Sequence, residues 1–266
     1  SESMTSMEGR GDDLMPAERQ QEIMRLAALK RIVKVRELAD DLGVHEMTIR
    51  RDLEALAERN LLERVHGGAR INSQSGSESS FDLRATANRA AKERIARTAL
   101  SLVNPGDTLA FDASTTSLTL IRALSDMNVT CIVISLDAAQ SLATQDVPFI
   151  LVGGAFHAPA RSFVGPLVRG QLERLHPDKV FFSSKGFSIR SGFTDAHLAE
   201  VEVKERLIGS AGLVVALLDS SKFGKEALGT IVEPDGVDVV VTDTAPDRAF
   251  LDAFDAAGVR LLVADD

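Results

Sequence analysis

The residues best placed to do chemistry fall into two groups. The first is Met47-Thr-Ile-Arg-Arg51. Ile49, Leu53 and Leu56 stand at i, i+4 and i+7, so on a helix they share one buried face. At roughly 100° per residue, Met47 and Arg51 point nearly the opposite way, with Thr48 and Arg50 flanking them on the outward side. An apolar back and a cationic front, begun at His45, suit entry into the major groove of duplex DNA. Downstream, Arg64, His66 and Arg70 surround a Gly67-Gly68 turn, where cations would meet backbone phosphates rather than base edges.

The second group follows short apolar runs. It comprises Asp112-Ala-Ser-Thr-Thr116, Ser135, Gly153-Gly154 with Arg161 soon after, Ser183-Ser-Lys185, Asp219-Ser-Ser-Lys222, and Lys204. Small hydroxyl residues and free N–H groups at a helix N-terminus make an anion site. Asp112, Ser114, Thr115, Thr116 and Ser135, with Arg161, Lys185, Lys204 and Lys222 around one rim, would suit a polyhydroxylated anion such as a sugar phosphate. Each piece alone has an ordinary explanation. Ser and Thr after a strand are common helix caps, Gly-Gly is a common turn, and a lone helix lysine is usually solvated. The argument rests on their convergence.

The elements that must position these residues can be read from hydrophobic periodicity. Pro16 to Leu29 is expected to be a helix with Ile23, Leu26 and Leu29 among its apolar positions. Val35 to Leu42 is a second helix, with Leu38, Ala39 and Leu42 inward. Gly43 permits the left-handed turn into the third helix, and Asn60 is a second-choice cap where that helix stops. Leu61, Leu62 and Val65 resume as strand. This is a winged helix-turn-helix over 16–71. Ser1 to Met15 is expected to be a disordered tail, and the polar run 72–80 a linker. Beyond it, Phe81 to Val103 reads as one helix. Short apolar strands then alternate with helices to the end, which indicates a parallel Rossmann-like sheet covered on both faces. The fold class is α/β, a winged helix followed by a sensor domain over 81–266. In such sheets ligands sit at the carboxyl ends of the strands, where the second group gathers.

Composition sets limits. The formal charge is −9, which looks wrong for a nucleic-acid binder. Residues 16–70 hold eleven Lys/Arg and ten Asp/Glu, so the winged helix is nearly neutral and its cations must act locally. The acidic remainder disfavours loose binding along DNA, so tight binding calls for two or more heads and a homo-oligomer, dimer or tetramer. No apolar run has membrane length. The lone Cys131, in an apolar run, is expected to be a core residue, and cytoplasmic residence follows. No Cys/His cluster has metal spacing, and no cofactor is expected.

Glu37-Leu-Ala, Val44 to Leu53 and Leu62 to Ala69 resemble the DeoR family of bacterial repressors. So do Asp112-Ala-Ser-Thr-Thr, Gly153-Gly154, Phe163-Val-Gly165, Asp178-Lys-Val-Phe, Gly192-Phe-Thr-Asp, Glu202-Val-Lys204 and Asp219-Ser-Ser-Lys-Phe-Gly. His45 stands where the family usually has Ser, Asn60 and Ala113 where it has Gly, Val133-Ile134 where it has Thr-Asn, and Lys185 where many members have Asp. The resemblance implies a sensor similar in fold to ribose-5-phosphate isomerase that binds phosphorylated sugars. It also implies a repressor of a carbohydrate-utilisation operon, released from double-stranded operator DNA by a phosphorylated sugar or sugar acid. Three other readings stand beside it: a winged helix used for protein contacts, a constitutive DNA binder with an inert sensor, and a sugar-phosphate isomerase carrying a winged helix. The last needs a positioned base, for which Asp112, Asp195, Glu200 and Glu202 are candidates.

Overall fold

A computed structural model describes residues 15–30, 32–59, 61–71, 81 and 84–265. They form two compact units, the first ending at Arg84 and the second beginning at Ala85. The cap expected at Asn60, the linker expected over 72–80, and all but the last residue of the expected 1–15 tail lie outside the described residues.

In the first unit, α1 (Pro16–Lys30), β1 (Ile32–Lys34), α2 (Val35–Leu42) and α3 (Glu46–Glu58) precede a hairpin of β2 (Leu62–Val65) and β3 (Gly68–Ile71). Ile23, Met24, Ala27, Leu38, Ile49, Leu53, Leu56 and Leu62 make its core. Leu29, one of the apolar positions named for this helix, is 70% exposed. The buried face of α1 runs through Ile23 and Ala27, and Leu29 lies two residues further, on the far side of the helix. Gly43 caps α2 at φ 64°, the left-handed conformation the turn requires.

Strand β1 is too short for periodicity to reveal. It pairs antiparallel with β3, Ile32 opposite Arg70, and makes the wing three-stranded. Gly68 allows this, because a Cβ there would lie 2.0 Å from the Val33 carbonyl oxygen. A second feature is the buried ion pair of Arg19 on α1 with Asp52 on α3. Gln20 adds a hydrogen bond to Asp52 at 3.2 Å. Asp52 therefore bolts α3 to α1, while its neighbours Arg50 and Arg51 face outward.

The second unit runs α4 (Arg89–Leu100), β4 (Thr108–Phe111), α5 (Thr115–Arg122), β5 (Thr130–Val133), α6 (Leu136–Thr144) and β6 (Phe149–Leu151). Then come β7 (Ala155–His157), β8 (Ser162–Val164), α7 (Pro166–Leu172), β9 (Lys179–Phe182), β10 (Gly186–Ser188), β11 (Gly192–Asp195) and α8 (Leu198–Ser210). It closes with β12 (Leu213–Leu217), β13 (Gly229–Val232), β14 (Val239–Thr242), α9 (Arg248–Ala257) and β15 (Arg260–Val263). The helix expected over 81–103 is broken: Phe81 and residues 84–86 are helical, a turn follows at 87–88, and α4 starts afresh at Arg89, because Asn88 sits at φ 54°, which no right-handed helix contains.

Seven strands form one parallel sheet in the order β15-β14-β12-β9-β4-β5-β6. Each face carries its own apolar layer. Phe111, Phe181 and Cys131 pack with Ile95 and Ala99 of α4, Leu120 of α5 and Leu142 of α6. Phe182 and Val180 face the other way, onto Val168 of α7, Leu207 of α8 and Phe254 of α9. The period of two along a strand explains why Phe181 and Phe182 serve opposite layers. Burial pushes the Cys131 thiol up to about 12, so it stays protonated and behaves as a core residue. Two small antiparallel sheets, β7-β8 and β10-β11-β13, were not expected. Their strands of three or four residues carry too little alternation to show in the sequence. No helix among the described residues is long and apolar enough to cross a membrane.

Replacing Asp52 by Ala should leave the Arg19 guanidinium buried without its counter-charge and cost about 3–5 kcal/mol. Urea titration of the full chain, followed by a probe in the first unit, checks this. A loss under about 1 kcal/mol would show that the pair does not hold α3 in place.

Candidate functional site

In the first unit, α3 presents the expected face. His45 is extended at the N-cap and its Nδ1 accepts from Met47 N at 3.2 Å, so the imidazole replaces a hydroxyl cap. Met47 is 51% exposed, Arg50 and Arg51 are exposed, and Thr48 is half-buried. Arg50 donates to Glu46 at 3.2 Å, one helical turn back. Arg70 makes a two-pronged bond to Glu63 across the wing, both arms at 2.9 Å. Both pairs are solvent-exposed, and exposed pairs are worth about 0.2–1 kcal/mol each, so an arriving phosphate can displace either. Arg51, Arg64 and His66 are exposed and make no side-chain hydrogen bond or ion pair among the described residues.

In the second unit the chain order reverses between β4 and β9. β5 and β6 extend the sheet to one side of that pair, and β12, β14 and β15 to the other. Ligands in open parallel sheets bind at such a switch point. Asp112 follows β4 there, 2% exposed. One of its oxygens accepts from the Ser114 hydroxyl at 2.7 Å and the Ser117 hydroxyl at 2.5 Å. The other accepts from Ser183 N at 2.9 Å and lies 3.1 Å from Lys204 Nζ. Lys204 also donates to Asp195 at 2.8 Å and to the Ser183 carbonyl at 2.8 Å. Burial alone would lower the Lys204 pKa, but the Asp112 and Asp195 carboxylates hold it above its ordinary value. For Asp195, burial would raise the pKa, and the charge and hydrogen bond of Lys204, the charge of Lys185 and the Ala196 N–H hold it below the usual range. Lys204 is thus an internal tie between strand ends, with its charge already matched.

Ser114 caps α5 through Ser117 N at 3.1 Å. Thr115 and Thr116 are buried in the first turn, where backbone N–H groups have no acceptor within the helix. Ser135 is buried and caps α6 through Ala138 N. It bridges to Ser162, whose hydroxyl donates to the buried Glu200 on α8. Lys185 is half-buried beside Asp195, and Lys222 ends the turn after β12.

Three expected residues have other visible duties. Arg161 donates to Asp137 at 2.8 Å. The Gly153 carbonyl accepts from Gln171 at 2.7 Å. A Cβ at Gly154 would lie 2.7 Å from the Val164 carbonyl oxygen and from Val168, so this glycine serves close packing. Conversely, Ser117 belongs to the constellation and was not expected there, and Glu200, expected only as a candidate base, joins it through Ser162. Glu200 lies four residues before Lys204, one helical turn, and that spacing was the available signal.

Residues 87–244 match the DeoR C terminal sensor domain, and residues 19–75 match the DeoR-like helix-turn-helix domain. The HTH-type transcriptional regulator YulB of Bacillus subtilis is 35% identical over 93% of this chain and 96% of its own. The transcriptional repressor GlcR of the same organism is 34% identical, over 84% of this chain and 87% of its own. The L-fucose operon activator of Haemophilus influenzae is 31% identical, over 80% and 86%. The chain belongs to the DeoR family of transcriptional regulators. It is a DNA-binding regulator with a sensor domain, not an isomerase, and its first unit is a DNA-binding domain rather than a protein-contact module.

Two sets of outcomes follow. Arg51→Ala should weaken binding to a selected duplex by roughly 1–3 kcal/mol, with unfolding unchanged. Arg64→Ala should weaken all duplexes alike and lower the salt slope by about one per head. Titrations at fixed salt and across a salt series separate the two, and unchanged affinity in either variant removes that arginine from the interface. Lys204→Ala should destabilise the second unit by about 3–5 kcal/mol, because two buried carboxylates lose their cation. In the wild type the Asp195 contribution, with a depressed folded pKa, is complete above about pH 4 and lost as the pH falls through its folded value. The Lys204 contribution, with a raised folded pKa, is complete below about pH 10 and lost as the pH rises through its folded value. Unfolding curves across pH check both limits. A Lys204→Ala chain as stable as wild type at pH 7 would remove the tie.

Proposed function

We propose that the chain is a repressor of a carbohydrate-utilisation operon, acting in the cytoplasm as a homo-oligomer and leaving its operator when a phosphorylated sugar or sugar acid binds the second unit. The observation that carries this reading is the first turn of α5 at the switch point. There buried Thr115 and Thr116 stand beside backbone N–H groups that the helix itself does not engage. Lys185 and Lys222, at the ends of β9 and β12, are the proposed counter-charges, and Lys204 is held by Asp112 and Asp195. Glu200, whose carboxylate takes the Ser162 hydroxyl, would supply an acceptor for a sugar hydroxyl. The repressor sign is supported by the relative named as a repressor, and the sugar operon by the relative named for L-fucose. Arg50, Arg51, Met47, Thr48 and His45 would read the major groove, and Arg64, His66 and Arg70 would hold phosphates. The effector must bind the DNA-free state better than the DNA-bound state, because equal affinity would shift nothing.

Thermal shift against triose, pentose and hexose phosphates and their sugar acids should identify the ligand class. Operator affinity with and without the best ligand should then fall in the wild type. In Lys222→Ala and in Thr115→Val, which keeps the shape and removes the hydroxyl, affinity should stay high with ligand present. Normal release in both variants would put the anion elsewhere.

A further inference from the structure

The segment that joins the two units leads into α4, and α4 is fastened to a strand-end loop by two clips. The first is Asn88, the N-cap of α4. An N-cap residue is ordinarily extended and its side chain accepts from its own helix. Asn88 does neither. It is left-handed at φ 54° and ψ 35°, and its side chain makes no cap bond. The amide instead donates to Asp219 Oδ1 at 3.3 Å and to the Ser221 hydroxyl at 3.2 Å. A non-glycine residue in this region is uncommon and held there by its surroundings. The second clip lies two turns along. Arg94 donates to the Asp243 carbonyl at 3.3 Å and lies 3.6 Å from its carboxylate. That carboxylate accepts from Ser220 N at 2.6 Å and from the Ser220 hydroxyl at 3.1 Å.

Ser220 and Ser221 immediately precede Lys222, on the loop after β12. The buried Asp219 carboxylate that holds Asn88 also takes Ser221 N at 3.0 Å. On its apolar side α4 packs along α5, with Ile95, Ala99, Leu120 and Ile121 in one buried cluster. One helix therefore touches both halves of the proposed anion site: the body of α5, and the loop that carries Lys222.

We infer that α4 is the element through which the sensor acts on the DNA-binding unit, and that Asn88 and Arg94 are positioning residues that tie it to the Asp219–Lys222 loop. The inference rests on the effector site proposed above. A ligand drawn between the first turn of α5 and Lys222 moves the loop relative to α5. The clips make α4 follow the loop, and α4 leads back to the DNA-binding unit through the preceding segment. Neither residue touches the ligand.

The test uses the full chain, an operator duplex selected by the wild type from random sequence, and three probes: ribose 5-phosphate, fructose 6-phosphate and glycerol 3-phosphate. Asn88→Gly keeps the left-handed backbone and removes the clip. Arg94→Gln removes the second clip at similar length. Calorimetry gives probe affinity without DNA, and titration gives operator affinity with and without probe. Both variants should bind probe and free operator within about twofold of wild type, while probe-dependent release drops to about onefold, against the roughly 5–150-fold usual for coupled sites. Wild-type release in both variants overturns the clips and leaves the effector site standing. Loss of operator affinity before probe is added, with lowered thermal stability in both variants, overturns the proposal in favour of a purely structural role. Failure of every probe to bind the wild type overturns the inference together with the effector reading beneath it.

Discussion

Lys204 carries its charge into a region where it is only 4% exposed, and the carboxylates of Asp112 and Asp195 make that placement tolerable. A lone ammonium there would lose several kcal/mol of hydration. With both partners in hydrogen-bonding range the charge is retained and becomes a constraint. It fixes the end of β4 through Asp112, the end of β11 through Asp195, and the end of β9 through the Ser183 carbonyl. Asp112 in turn orients Ser114 and Ser117, and Ser114 caps α5. The first turn of α5 is therefore aimed by a chain of contacts that begins on α8, nearly ninety residues later. A loop built this way is pre-organised, so the ligand proposed for it need not order it.

What the sequence reveals follows from the range of each signal. The outward face of α3 is legible because Ile49, Leu53 and Leu56 define the inward one within two turns. The parallel sheet is legible because its strands are short, apolar and spaced by helices. The antiparallel strands β10, β11 and β13 are not, since each is too short to show a pattern of its own, and β13 pairs with β11 from far along the chain. The same holds for polar pairs. Arg50 with Glu46 is four residues apart and can be anticipated. Arg19 with Asp52 is 33 apart and cannot. Lys204 reads in the sequence as a helix lysine available to a ligand, and only the fold discloses that two carboxylates already hold it. The Asp112 segment was found for its hydroxyls, yet the aspartate itself turns out to organise them.

Charge explains how the two units can be so different. The chain as a whole carries −9, and the DNA-binding unit is close to neutral. Long-range attraction to DNA is therefore weak, and affinity must come from a few cations at short range. Two of the proposed contacts, Arg50 and Arg70, are paired with Glu46 and Glu63 in the free chain. Such pairing is cheap to undo at the surface, and it keeps the cations ordered without adding net charge. The arrangement disfavours casual contact with arbitrary DNA, and in the proposed homo-oligomer it would favour sites where several heads engage at once, each adding effective concentration for the next. In that proposed assembly, a sensor that moves only one element per head would have leverage. Breaking the geometry of simultaneous engagement removes the gain from multivalency in full, even if each head keeps most of its own affinity.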